Sequence, residues 1–182
     1  LYPNLFEVTD AAVMNELVPV ETFFKTGSIR VAETNIQAQE RISFHAQRAL
    51  EGQDLGLSVS GADGVIEIST GLDLNLNDGK MTAAKRVLLA STGIFAKEGD
   101  LLGGNLTVSG DIEGPSGSTP KEVVLRAFAD LNLNASATAT DRIELFAGGD
   151  FNGSSSELSL NLDATGADSV IDVSVDGDMT FG

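Results

Sequence analysis

The sequence predicts an all-β protein, a parallel β-helix (β-solenoid) with coils of about 28 residues. Three observations carry that reading: an internal repeat, a two-residue alternation of apolar and polar side chains, and glycine–aspartate corners between the alternating runs. The repeat is visible when the chain is laid on itself. Leu131-Asn-Leu-Asn-Ala-Ser followed by Asp141-Arg-Ile-Glu-Leu-Phe-Ala-Gly-Gly-Asp-Phe returns as Leu160-Asn-Leu-Asp-Ala-Thr followed by Asp168-Ser-Val-Ile-Asp-Val-Ser-Val-Asp-Gly-Asp-Met. The copies lie 29 residues apart at Leu131/Leu160 and 28 apart at Gly149/Gly177. Leu74-Asn-Leu-Asn with Arg86-Val-Leu-Leu is a third partial copy, and Gly61-Ala-Asp-Gly-Val-Ile-Glu-Ile-Ser matches Gly166-Ala-Asp-Ser-Val-Ile-Asp-Val-Ser. A period of this size means that one supersecondary unit is stacked on copies of itself.

The alternation identifies the unit as a strand. Ile42/Phe44/Ala46, Leu55/Leu57/Val59, Ile66/Ile68, Leu72/Leu74/Leu76, Leu131/Leu133/Ala135, Ile143/Leu145 and Ile171/Val173/Val175 each place apolar side chains two residues apart. Successive strand residues face opposite ways, so each run buries one face and wets the other. Between the runs stand Gly61-Ala-Asp-Gly, Asp78-Gly, Gly148-Gly-Asp and Asp176-Gly-Asp, whose residues tolerate the bent or left-handed backbone of a corner. The strands recur too quickly for a sandwich with long crossovers, whereas stacked coils about 4.8 Å apart fit, with Leu133 over Leu162 and Ile143 over Ile171. The four prolines, at positions 3, 19, 115 and 120, fall outside the alternating runs, as a backbone ladder requires.

Taken along the chain, residues 1–26 form an N-terminal cap or assembly segment. Thr9–Pro19 reads either as a short helix capped by Thr9 or Asp10 or as part of a strand pair, Leu5–Val8 and Ala12–Met14. Residues 27–182 form the β-helix, with a Gly- and Pro-rich loop insertion at 114–120. The chain opens without Met or a charged-then-apolar leader and closes inside the repeat pattern, which reads as a processed or excised piece.

Charge and composition exclude several functions. Lys plus Arg number 11 against 27 Asp plus Glu, a net charge of −16, and no basic residue follows Arg142. Such a surface repels phosphate backbones and anionic lipid, so neither nucleic acid nor direct membrane insertion is expected. Carboxylates stacked in register repel one another within a Debye length, and a divalent cation would relieve them. Calcium is the ion the oxygen ligands would suit, although the Gly-Gly-x-Gly-x-Asp calcium repeat is absent; no other cofactor or metal is expected. Cysteine is absent, which removes disulfides and thiolate chemistry and is compatible with the cytosol as well as with a protein exported unfolded and folded outside.

Chemistry-bearing residues are few. His45 is the single histidine, and in Ile42-Ser-Phe-His-Ala it takes the outward side of its strand. No nucleophile-elbow motif accompanies it. Asp176/Asp178 and Asp73/Asp78 could in principle mimic the paired carboxylates of a glycosidase, but acidic corner residues are far commoner. No catalytic residue is therefore assigned, and the chain is read as no enzyme. Three sequons stand at Asn105-Leu-Thr, Asn134-Ala-Ser and Asn152-Gly-Ser, making Asn105, Asn134 and Asn152 candidate glycosylation sites.

Two family resemblances rest on quoted segments. Gly104-Asn-Leu-Thr-Val-Ser-Gly-Asp and Asp130-Leu-Asn-Leu-Asn-Ala resemble the repeats of filamentous-haemagglutinin-type exoproteins, over roughly residues 27–182. Phe6-x-Val8-x-Asp10, Gly27-Ser-Ile-Arg-Val-Ala, Glu40-Arg-Ile-Ser, Gly64-Val-Ile-Glu-Ile and Gly79-Lys-Met-Thr-Ala are similar to the sarcoglycan ectodomain, whose membrane helix and cysteine-rich C-terminus have no counterpart here. Either resemblance implies an extracellular β-helical rod of structural or adhesive type.

The expected role is thus a filament or stalk subunit or an adhesin shaft, at the cell surface or outside it. It would associate with itself or with related β-helical chains, end to end or as an intertwined trimer. Leu5, Phe6, Phe23 and Phe24 supply the apolar assembly surface. The alternatives are a carbohydrate-binding or carbohydrate-active β-helix, for which the scattered Phe residues show no aromatic ladder in sequence, and a phage or viral tail-spike shaft.

Overall fold

The computed structural model describes residues 5–8, 21–95, 101–115, 119–153 and 161–181. Within them the chain is a parallel β-solenoid of about six turns, the coils roughly 24 residues apart. The strands are β1 (Leu5–Val8), β2 (Glu21–Thr26), β3 (Ser28–Ala32), β4 (Asn35–Ala38), β5 (Arg41–Ala46), β6 (Leu50–Gln53) and β7 (Gly56–Val59). There follow β8 (Val65–Thr70), β9 (Leu74–Thr82), β10 (Arg86–Ser91), a small hairpin of β11 (Ile94–Phe95) and β12 (Leu101–Leu102), β13 (Leu106–Glu113) and β14 (Glu122–Ala127). The last are β15 (Leu131–Ala139), β16 (Arg142–Ala147), β17 (Phe151–Gly153), β18 (Asn161–Ala164), β19 (Val170–Val175) and β20 (Met179–Phe181).

Every coil contributes one strand to a seven-stranded sheet, ordered β19-β16-β14-β10-β8-β5-β2. The rest of the coil runs through an eleven-stranded sheet as two segments, separate in β6 and β7 and fused in β9, β13 and β15. The bend between those segments is a left-handed corner in the early coils, where Glu33, Asp54 and Asp78 have φ of 49°, 51° and 53°. In β13 that place falls to Gly110, with φ of 115°. A Cβ there would lie 1.9 Å from the Gly79 carbonyl oxygen, so only glycine fits. In β15 the corner has gone and the strand runs straight through nine residues.

The core is the inside of the tube. Ile42, Ile66, Val87, Val123 and Ile143 form one buried column, Phe44, Ile68, Leu89, Leu125 and Leu145 a second, and Leu50, Leu74, Leu106 and Leu131 a third. Each such aliphatic side chain, fully removed from water, contributes about 1.5–3 kcal/mol. The repeats seen in sequence are these columns: Leu74 and Leu131 share one, and Arg86 and Arg142 share another. Gly61 and Gly166 open the same turn four coils apart, each accepting a backbone hydrogen bond from three residues on.

Three expectations need correction. The 28-residue spacing is met at the last turn, where Asp150 and Asp178 stand 28 apart, while the preceding turns at that corner take 32, 25 and 20 residues. Corners absorb the variation, because only the strand faces are bound to the ladder. Leu162 pairs with Ala137 and not with Leu133, which lies opposite Val108. The motif Leu-Asn-Leu-Asx-Ala alternates with a period of two, so the sequence pattern matches as well after a shift of four residues. Ile171 does stack on Ile143, yet it is 44% exposed because it belongs to the last described coil.

Of the N-terminal alternatives, Leu5–Val8 is a strand and pairs with β3, while β2 pairs with β5. The Thr9–Pro19 helix reading and the Ala12–Met14 strand lie outside the described residues. The loop at 114–120 lies between β13 and β14, with residues 116–118 outside the described set.

Candidate functional site

Parallel stacking puts equivalent residues of successive coils in columns, so the polar residues at one corner necessarily meet. At the entry to the eleven-stranded sheet stand Asp73, Asn105, Asp130, Asp150 and Asp178. The Asp73 Oδ1 accepts from the Asn105 backbone N–H and from its Nδ2, both at 3.0 Å. Asn105 Oδ1 accepts the Asp130 N–H at 3.2 Å, Asp130 Oδ1 the Asp150 N–H at 2.8 Å, and Asp150 Oδ1 the Asp178 N–H at 2.9 Å. Each side chain thus satisfies the corner amide of the next coil, which the sheet ladder does not reach. A charged acceptor makes that bond stronger than a neutral one. The stacked carboxylates are held by donors from the backbone, an arrangement that the charge count alone does not disclose.

The outward face of the seven-stranded sheet carries a second set of columns. Glu67 takes Arg41 Nη1 at 2.9 Å and Arg86 Nη2 at 2.5 Å, from the coils on either side. Glu144, its side chain 15% exposed, is held by Arg126 and, at 2.7 Å, by Arg142, which also reaches Asp172 at 3.5 Å. On the other sheet Arg30 pairs with Glu51 at 2.8 Å and Lys80 with Glu113 at 2.7 Å. The hydrogen bond to Glu113, and then its charge, hold the Lys80 ammonium above its ordinary pKa. His45 is exposed on the outward face, and its Nδ1 lies 2.8 Å from the Ser69 Oγ of the next coil.

The residues singled out in sequence divide clearly. Asp73 and Asp78 occupy different corners: Asp73 belongs to the ladder, whereas Asp78 sits in the left-handed bend, where its N–H donates to Ser109 Oγ at 2.8 Å. The Asp178 N–H donates to Asp150 Oδ1, and the Asp176 N–H donates to the Ala147 carbonyl. Among the described residues no three His, Asp or Glu side chains converge as a metal site. Asn105 is bound into the ladder through both ends of its amide, Asn134 Oδ1 is buried without a hydrogen-bond partner, and Asn152 is exposed with its Nδ2 on Asn132 Oδ1 at 3.0 Å. Leu5 and Phe6 lie in β1 opposite Ser28 and Ile29; Phe23 and Phe24 lie in β2 opposite Ser43 and Phe44.

Two features were not legible in sequence. The last described coil leaves inward-facing positions uncovered: Ile171 and Met179 are each 44% exposed and Phe181 59%, the Phe181 ring lying 5.5 Å from that of Phe151. The second is a concavity of about 420 Å³ on the outer face of the seven-stranded sheet, shared by β10, β14 and β16 and the residues just after them. No family model, curated protein or solved structure matches the chain.

Proposed function

We propose that the chain is a non-enzymatic, extracellular structural protein: a β-helical rod that serves as a filament or stalk subunit or an adhesin shaft by associating with itself, end to end or as a trimer. The observation that carries this reading is the pair of coil ends. Among the described residues, β18, β19 and β20 form one edge and β1, β2 and β4 the other, each bonded on one side only. All run in the same direction, so one of these edges in one copy has the polarity to extend the opposite edge in another. Such a head-to-tail contact does not close on itself and yields filaments. Uncovered Ile171, Met179 and Phe181 add an apolar surface at that edge.

The polar side chains support the same reading. His45, Glu67, Glu144 and the corner aspartates are engaged between coils, where they hold the stack together. The test is negative-stain electron microscopy of the wild-type chain beside an Ile171→Glu/Phe181→Glu variant. Rods of many lengths for the wild type and single short particles for the folded variant are expected. Single particles in both samples would contradict the proposal.

A further inference from the structure

Beyond a structural role, we propose that the groove over β10, β14 and β16 binds a neutral hexopyranose chain, which would make the rod's side a glycan-docking surface. The groove exists because one outward column changes size abruptly. Ala90, Arg126 and Phe146 are register partners in successive coils, so the short Ala90 leaves a dent beside two long side chains. Phe128, which follows β14 at the corner, is 44% exposed and lines the same dent as Phe146. Two rings far apart in sequence thereby share one apolar floor, which offers the C–H face of a sugar ring the kind of surface it stacks upon.

The rim supplies what the hydroxyls of such a ring need. Arg126, with 56% of its side chain exposed, binds Glu144 through Nε and Nη2 and keeps its other guanidinium N–H groups as donors. The Thr92 hydroxyl donates to the Thr70 carbonyl at 3.0 Å and keeps its acceptor capacity. Arg126 and Glu144 are paired with each other, so the groove carries no unmatched cation, and the acidic surface around it repels a polyanion. Those charges select a neutral ligand. A volume of about 420 Å³ lies within the range of small-molecule sites.

Isothermal titration with cellohexaose, and with polygalacturonate as the anionic counterpart, tests the proposal on the full chain. Two variants address the floor in opposite ways: Phe128→Ala removes a ring, and Ala90→Trp fills the dent while leaving both rings in place. Circular dichroism and melting show whether each is folded. The expected result is binding of cellohexaose, none of polygalacturonate, and affinity at least tenfold lower, about 1.4 kcal/mol by the usual conversion, in each folded variant. No heat with cellohexaose, or unchanged affinity in a folded variant, would overturn the proposal. So would loss of self-association by Ala90→Trp with no glycan bound by the wild type, which would mark the groove as a contact between chains.

Discussion

At the scale of single residues, position in the tube decides how much a side chain matters. Ile143 is fully buried between Val123 and Ile171, so Ile143→Asp forces an unpaired carboxylate into a dry stack and should destabilise by roughly 3–5 kcal/mol in urea unfolding. Ile171→Asp, in the same column but 44% exposed, should cost less than about 1 kcal/mol in the monomer. Equal losses would contradict the burial pattern. Gly110 makes a different demand: Gly110→Ala combines a left-handed φ with a Cβ driven into the Gly79 carbonyl and should destabilise by roughly 2–3 kcal/mol. A melting temperature equal to wild type would show that the corner relaxes freely. The alternation of apolar and polar residues made Ile143 readable as core from sequence. The exposure of Ile171 was not readable, because the pattern says which face a residue takes and not whether another coil covers it.

At the scale of elements, each strand is held by the sheet and each corner by its side chain. Asp150→Ala removes the acceptor for the Asp178 N–H and should destabilise by about 1–2 kcal/mol, with faster hydrogen exchange at that amide. Asp150→Asn keeps the acceptor, as Asn105 does in its own coil, and should be tolerated. If both substitutions behaved alike, the ladder would contribute nothing through this bond. Aspartates after glycines were legible as corner residues, since Gly148-Gly-Asp and Asp176-Gly-Asp punctuate the strands. Their bonding to the next coil was not, because it depends on register, and register is blurred where Leu-Asn-Leu-Asx-Ala matches itself after a shift of two or four residues. The pairing of Leu162 with Ala137 is the result. The groove escaped sequence reading for a related reason: Phe128, Phe146 and Ala90 become neighbours only when the lengths of the intervening corners are known.

For the whole molecule, a parallel solenoid spreads its stability over neighbouring coils and concentrates its reactivity at its ends. The repeats disclosed that architecture, since residues in one column recur as near copies, and the coil count followed only from the structure, where corner lengths vary. The proposal of greatest consequence is that strand edges bonded on one side only, among the described residues, and a shared strand direction let copies of this chain associate end to end. Its acidic walls repel one another, so association should strengthen with ionic strength. Sedimentation velocity of the full chain across a range of protein and salt concentrations tests this most directly. The account expects species that grow with concentration, grow further with salt, and collapse to monomer in the Ile171→Glu/Phe181→Glu variant. A single monomeric boundary under every condition would contradict it.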